Sequence, residues 1–345
     1  MFKILTPPGR AIYAKQKHLK VKDDVNVLWF NVEDSINAYA DNIGWSSSEK
    51  SIENLEYLFR WYNTQDNYLF LDCTKEVSEL RYVAPKYKKL LKTLNINDDH
   101  VYWVTSNPND KKHVKHHVYW EMFLTAVKEM TQYSDPETGR LEVDIHNLEW
   151  KDWKKKFICY NGRNRPWRRE LYRYIKDKEI ILSPQLSVPE LLLKEMKYVF
   201  RYDDFEQKKN THDNWNNFTD LTYDYEYWLV TETLADGDQH GHVFLTEKTF
   251  KPILLKMGFV IAGRMGVLKK LRDLGFKTFS DYWDESYDTM DWWPDRRDAL
   301  VKTIEDIILD DVHVPLDILE YNYNVLKDHS ADLELKNTLA NLTPL

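Results

Sequence analysis

The sequence predicts an α/β protein built as two Rossmann-like domains facing across a cleft. Three observations carry that expectation. Short apolar runs rich in β-branched and aromatic residues recur along the chain, each continuous enough for a strand buried on both faces. Stretches with helical spacing alternate with them, which is the β-α-β-α rhythm of a doubly wound sheet. The rhythm pauses in a polar, turn-rich stretch, SDPETGRLEVDIHNLEW, and then resumes. With 345 residues the chain has room for two cores. The expected division is residues 1–150, residues 151–325, and a tail, 326–345, that packs back or is partly disordered.

In the first half NVLWFN (26–31), NYLFLD (67–72) and VYWVT (101–105) read as strands. Between the first two, SSSEKSIENLEYLFRWYN opens on a serine cap and spaces Ile52, Leu55, Leu58 and Phe59 as a helix does. VSELRYVAPKYKKLLKTL is a second helical stretch, interrupted or restarted at Pro85, and YWEMFLTAVKEMTQY (119–133) is a third. In the second half KFICYNG (156–162) is a strand running into a glycine turn, followed by the basic helix RPWRRELYRYIK. EIIL (179–182), YVF (198–200), YWLVTE (227–232) and GFVIAG (258–263) read as further strands. VLKKLRDLGF is a short helix closed by Gly275, and DALVKTIEDIILD is an amphipathic one.

Composition narrows the class. Hydrophobic residues at 43% and charged residues at 30% exclude a disordered chain. Cys73 and Cys159 both sit inside apolar runs, as small buried hydrophobes of a reducing compartment do, not as a disulfide framework. No signal-peptide pattern and no membrane-length apolar run occurs, so the protein is expected in the cytoplasm, a host's cytoplasm if phage-encoded. The net charge of −8 is unevenly spread. Residues 1–22 hold six Lys or Arg and no acid, residues 151–173 hold nine Lys or Arg against Asp152 and Glu170, and residues 281–298 hold seven acids against two arginines. Local basic faces attract phosphates even on an acidic chain.

Two stretches carry the chemistry. In VFLTEKTFKPILLKMGFVIAG, Thr246 is a helix cap that places Glu247 and Lys248 in the first turn, with Pro252 reorienting the element and Gly258 ending it. A lysine there opposes the helix dipole, which makes sense when an anion sits nearby. The glutamate beside it suits the two hydroxyls of a ribose. An ordinary charged helix start is the alternative. In FICYNGRNRPWRRELY a buried strand ends at Asn161, and Arg163, Arg165, Arg168 and Arg169 crowd the entry to a helix. Guanidinium groups so placed suit a diphosphate, at the strand end where open α/β sheets bind ligands. The alternative is a solvated basic face, or pairing with the acidic 281–298 segment. KKHVKHH (111–117) places His113 and His117 four apart, as if on one helix face, but lacks a carboxylate or cysteine to complete a metal set. No metal site is expected.

TETLADGDQHGHVFLTEKTFKPILLKMGFVIAG resembles the donor-binding signature of α-1,3-fucosyltransferase-like enzymes, in which a Glu-containing segment precedes a T-E-K helix start and a strand ending in Gly. FICYNGRNRPWRR stands where those enzymes have a strand followed by an Asn and a phosphate-binding Arg, and it is similar to arginine-rich stretches of phage and bacterial glycosyltransferases. The likeness covers residues 155–280. It implies a glycosyltransferase-B fold that binds a nucleotide-sugar donor mainly through the C-terminal half. Glu247 would then bind the ribose, Lys248 and the arginines the diphosphate, and Glu232 would lie close to the donor sugar. Thr233 stands where the family has Asn, and KTFKPIL departs from the fucosyltransferase helix, so the likeness does not carry fucose with it.

The implied reaction is inverting and metal-independent, with no cofactor: cations stabilise the departing diphosphate while a carboxylate deprotonates the acceptor hydroxyl. Glu33 and Asp34, following the first strand, are the preferred bases, with Asp72 behind them; each is equally a helix-capping acid. The acceptor is a glycan or small molecule. A DNA acceptor is the alternative, supported by the basic residues of the first half, and a non-catalytic nucleotide- or glycan-binding protein of the same fold is the third reading.

Overall fold

A computed structural model of the chain describes residues 27–31, 68–74, 80–130, 155–161, 165–181, 196–200, 225–235 and 243–343. The chain divides into two compact units, Met1–Thr125 with Ser330–Leu345, and Ala126–His329. The expected boundary near residue 150, the helical stretch at 46–63, and Glu33, Asp34 and Arg163 lie outside the described residues.

The first unit holds a four-stranded parallel sheet with strands in chain order: β1 (Val27–Asn31), β2 (Tyr68–Asp72), β3 (Val101–Thr105) and β4 (His116–Tyr119). Alternation along β2 explains the layers. Leu69 and Leu71 pack with Trp103 of β3 against Leu80, Ala84, Tyr87 and Leu91 of helix α1 (Leu80–Thr93), whose spacing puts those four on one face. Tyr68 and Phe70 pack to the other cluster, with Val104, Val118, Met122 of α2 (Met122–Met130) and Leu335, Leu339 and Leu342 from the C-terminal segment. The expected break at Pro85 does not occur. Pro85 lies on the exposed side of α1, where water can meet the carbonyl it leaves unbonded, and the helix runs through it. β4 was not foreseen. The 3-10 turn Pro108–Lys112 ends at His113, and His116 and His117 are neighbours along β4, so His113 and His117 share no helix face.

The second unit holds a parallel sheet in the order β6 (Met196–Phe200), β5 (Lys155–Asn161), β7 (Tyr225–Thr231), β8 (Gly258–Ala262). All residues of β7 and β8 are buried, as expected for parallel strands covered on both faces. Its helices are α3 (Pro166–Ile181), α4 (Glu247–Leu254), α5 (Val267–Asp273), α6 (Trp293–Leu309) and α7 (Leu316–Asp328); the C-terminal helix α8 (Leu333–Asn341) belongs to the first unit. α3 begins with proline at its first position and buries Trp167, Leu171 and Ile175, one row four residues apart. It continues through Ile181, so the first three residues of EIIL are helical and not a strand, and Leu182 lies outside the described residues; four apolar-rich residues are too few to separate the two periodicities.

Gly258 does not end α4. Lys256, at φ 50°, makes the left-handed turn after the helix, and Gly258 opens β8, where a Cβ would lie 2.6 Å from both Tyr227 Cδ1 and Val314 Cγ2. Close packing requires that glycine. Both cysteines are buried and neither is in a disulfide. The two units are thus parallel sheets flanked by helices, an α/β, Rossmann-like organisation. Among the described residues no helix is long and apolar enough to cross a membrane.

Candidate functional site

In the second sheet the chain passes from β5 to β6 on one side, then to β7 on the other side of β5. Open α/β sheets bind ligands at such a reversal, outside the carboxyl ends of the two strands that flank it. Those ends are Asn161 and Thr231. The two sequence motifs therefore meet there, one following β5 and the other following β7.

Buried groups first lock the strand ends together. Thr231 Oγ1 donates to Asn161 Oδ1 at 2.7 Å, joining β7 to β5. Asn161, expected to touch donor, is 3% exposed, and its amide nitrogen donates to Cys159 Sγ. Burial pushes the Cys159 thiol up to about 12. Arg168, 2% exposed, reaches back from α3 and donates through one terminal nitrogen to the carbonyls of Thr231 at 2.7 Å and Glu232 at 2.8 Å. It braces the end of β7 and is not directed outward as a phosphate ligand.

Glu232 is fully buried and accepts four hydrogen bonds. Oε1 takes the Thr246 amide at 2.9 Å and the Thr249 hydroxyl at 2.6 Å; Oε2 takes the Thr246 hydroxyl at 2.7 Å and the Thr233 amide at 3.1 Å. The carboxylate is thereby enclosed, and its position is internal, not beside an open sugar site. Its effect is on α4. With its proton directed to Glu232, the Thr246 hydroxyl presents lone pairs to the Lys248 amide at 3.3 Å and to Lys248 Nζ at 3.1 Å, so Thr246 caps the helix as predicted. The motif TEKT divides by chemistry: its two threonines bind Glu232, and its two charged residues are left at the surface.

Glu247 and Lys248 are 24% exposed at their side chains and paired at 3.0 Å. Burial disfavours ionised Glu247, but the ammonium groups of Lys248 and Lys251 outweigh it and hold the carboxyl below its usual range. Lys251, four residues after Glu247, is half-buried; burial lowers its ammonium from 10.5 to about 8, against the attraction of Glu247. Arg168 feels Arg165, Glu232 and Glu247, so the two motifs share one electrostatic field. Among the described residues, that field holds Arg165, Arg168, Lys248 and Lys251 together with Glu232 and Glu247.

The neighbouring helix start is closed to outside anions. Asp288, buried, accepts from the Leu268 and Lys269 amides at 3.0 Å each and fills the beginning of α5. Arg296, also buried, gathers the carbonyls of Ala235, Gly263, Met290 and Asp291 and holds the loops beyond β7 and β8. Arg169 is exposed and lies elsewhere, in a surface depression with Arg173 and Arg297.

The sequence reading missed Thr231, Thr249, Lys251 and Arg296. Helical spacing was the available signal for two of them, since Thr249 follows the capping threonine by three and Lys251 follows Glu247 by four. In the first unit, Asp72 is buried and accepts from the Thr74 amide and hydroxyl two residues on, a local turn at the end of β2. His117 Nε2 lies 2.9 Å from Thr105 Oγ1. Among the described residues no group of three or more His, Cys, Asp or Glu is placed to hold a metal ion. No protein-family model and no curated protein matches the chain.

Proposed function

We propose that the chain is a glycosyltransferase of the glycosyltransferase-B type, moving a sugar from a nucleotide-sugar donor to an acceptor hydroxyl. The observation that carries the reading is the meeting of the arginine and T-E-K motifs at the switch point of a parallel sheet, where Arg165, Lys248 and Lys251 share one electrostatic field with Glu247. Lys248 lies in the first turn of α4 with Lys251 further along it, and Arg165 precedes α3, so a diphosphate above the ends of β5 and β7 would meet cations from both motifs. Glu247, kept ionised, accepts from the ribose hydroxyls.

The chemistry follows from where charge develops. As the glycosidic carbon leaves the diphosphate, negative charge grows on the phosphate oxygens, and cations already in place stabilise it without reorganising. In this role they supply what a divalent metal supplies in other enzymes. The enclosed Glu232 keeps α4 in position and takes no part in the transfer. An inverting displacement needs a carboxylate on the acceptor side, for which Glu33 or Asp34 is proposed. The acceptor class is a glycan or small-molecule hydroxyl.

The test is a panel of nucleotide-sugars with hydroxyl acceptors, read as release of nucleoside diphosphate and mass gain of the acceptor. Glu247→Ala and Lys248→Ala should lose transfer while melting close to wild type, because both side chains are partly exposed. Equal turnover in wild type and both variants rejects the site. Donor binding with no transfer to any acceptor rejects the enzyme in favour of a binding protein.

A further inference from the structure

The outer face of α3 carries a second group of cations that the proposed reaction does not use. Pro166, Arg169, Glu170, Arg173 and Tyr174 fall on one face of the helix and, with Arg297 of α6, line an open depression of about 470 Å³. Neither Glu247 nor Lys248 lines it. The two acids near it are both engaged by one arginine: Arg297 pairs with Glu170 and, through Nε and a terminal nitrogen, with Asp298 at 2.9 and 2.8 Å. The same guanidinium lies 3.9 Å from the centre of the Tyr174 ring, which fixes its plane.

That arrangement leaves Arg169 and Arg173 one turn apart, both exposed, with no acid paired to either among the described residues. Two guanidinium groups about 6 Å apart along a helix repel one another and do nothing for helix stability. Arg169 is also in the first turn, where no acid balances it and the helix dipole disfavours a cation. Glu170 and Asp298, both paired with Arg297, bound the patch, so it is compact and not a track for a long polyanion. The volume falls in the range of about 300–1,000 Å³ typical of small-molecule sites.

The geometry points to a second ligand site, on the outer face of α3, for a small phosphate-bearing molecule of sugar-phosphate size. Arg169 and Arg173 hold the phosphate oxygens, the stacked Arg297–Tyr174 pair forms the opposite wall, and Pro166 supplies an apolar edge. Arginine suits the task because its planar fork matches phosphate oxygens in pairs. The site stands apart from the switch-point site and does not depend on the glycosyltransferase reading.

The experiment is titration of the full chain with inorganic phosphate and with glucose 6-phosphate at constant ionic strength, followed by calorimetry or ³¹P line broadening. Saturable binding is expected for both probes, weakened about tenfold or more in Arg169→Ala/Arg173→Ala. Arg173→Glu should abolish it, and Lys269→Ala, an exposed lysine that belongs to neither site, should leave it unchanged. Melting temperatures of the arginine variants should match wild type, since both side chains are exposed. Absence of saturable phosphate binding overturns the site, as does loss in Lys248→Ala with retention in the arginine variants. Tighter binding of a single-stranded oligonucleotide with a steep salt dependence overturns the small-molecule assignment.

Discussion

Glu232→Ala separates a positioning carboxylate from one that faces a ligand. The substitution removes the acceptor of four hydrogen bonds in a side chain with no exposure. The Thr246 and Thr249 hydroxyls can rotate to other acceptors, but the Thr233 and Thr246 amides cannot. Two buried amides without acceptors cost about 2–6 kcal/mol together, at roughly 1–3 kcal/mol each. A domain holds about 5–15 kcal/mol in all, so the loss is large. Glu232→Gln keeps the shape and one acceptor oxygen and should cost about half as much. Urea unfolding followed by tryptophan fluorescence reads the total. Hydrogen exchange at the Thr246–Thr249 amides reads its location, and exchange there should quicken about tenfold or more, since tenfold corresponds to about 1.4 kcal/mol. A stability change within about 0.5 kcal/mol, the range of ordinary surface substitutions, with unchanged exchange at α4, would refute the reasoning.

Three further outcomes follow from the same site. Lys251 titrates near 8 when folded and near 10.5 when unfolded, so its folded ammonium destabilises below pH 8 and stability rises with pH between those values. A bound diphosphate favours the ammonium, so its affinity should fall as pH rises from about 7 to 9, with proton uptake in calorimetry; Lys251→Arg should flatten that profile, and an unchanged slope would count against the assignment. Arg168→Lys is one bond shorter, so its ammonium falls short of the Thr231 and Glu232 carbonyls that one terminal guanidinium nitrogen meets, and should destabilise by about 2–4 kcal/mol with both carbonyls left buried; an unaltered urea midpoint argues against the brace. The Cys159 thiol, buried and pushed up to about 12, should resist alkylation in native protein and react on unfolding; rapid native modification would contradict its enclosure.

Much of this architecture was legible because parallel strands are buried on both faces and read as continuous apolar runs. NYLFLD, VYWVT, YWLVTE and GFVIAG all became strands for that reason. β4 was hidden because its residues are mostly half-buried and its sequence, HHVY, follows a lysine-rich turn. The meeting of the arginine and T-E-K motifs was legible too, since ligands gather at the carboxyl ends of parallel strands. Side-chain direction was not. Arg168 and Arg169 are adjacent in sequence, yet about 100° apart around the helix, so one braces β7 and the other lines an outer depression. Glu232 misled for a related reason: a glutamate at a strand end looks like a ligand residue until its four donors are known.

The most direct measurement is calorimetric titration of UDP, GDP, ADP and CDP in turn into wild-type protein and Lys248→Ala. The account predicts that at least one saturates at one molecule per chain and binds Lys248→Ala about tenfold or more weakly, the loss of a charged phosphate contact. No saturation by any of the four, or equal affinity for the two proteins, would contradict it.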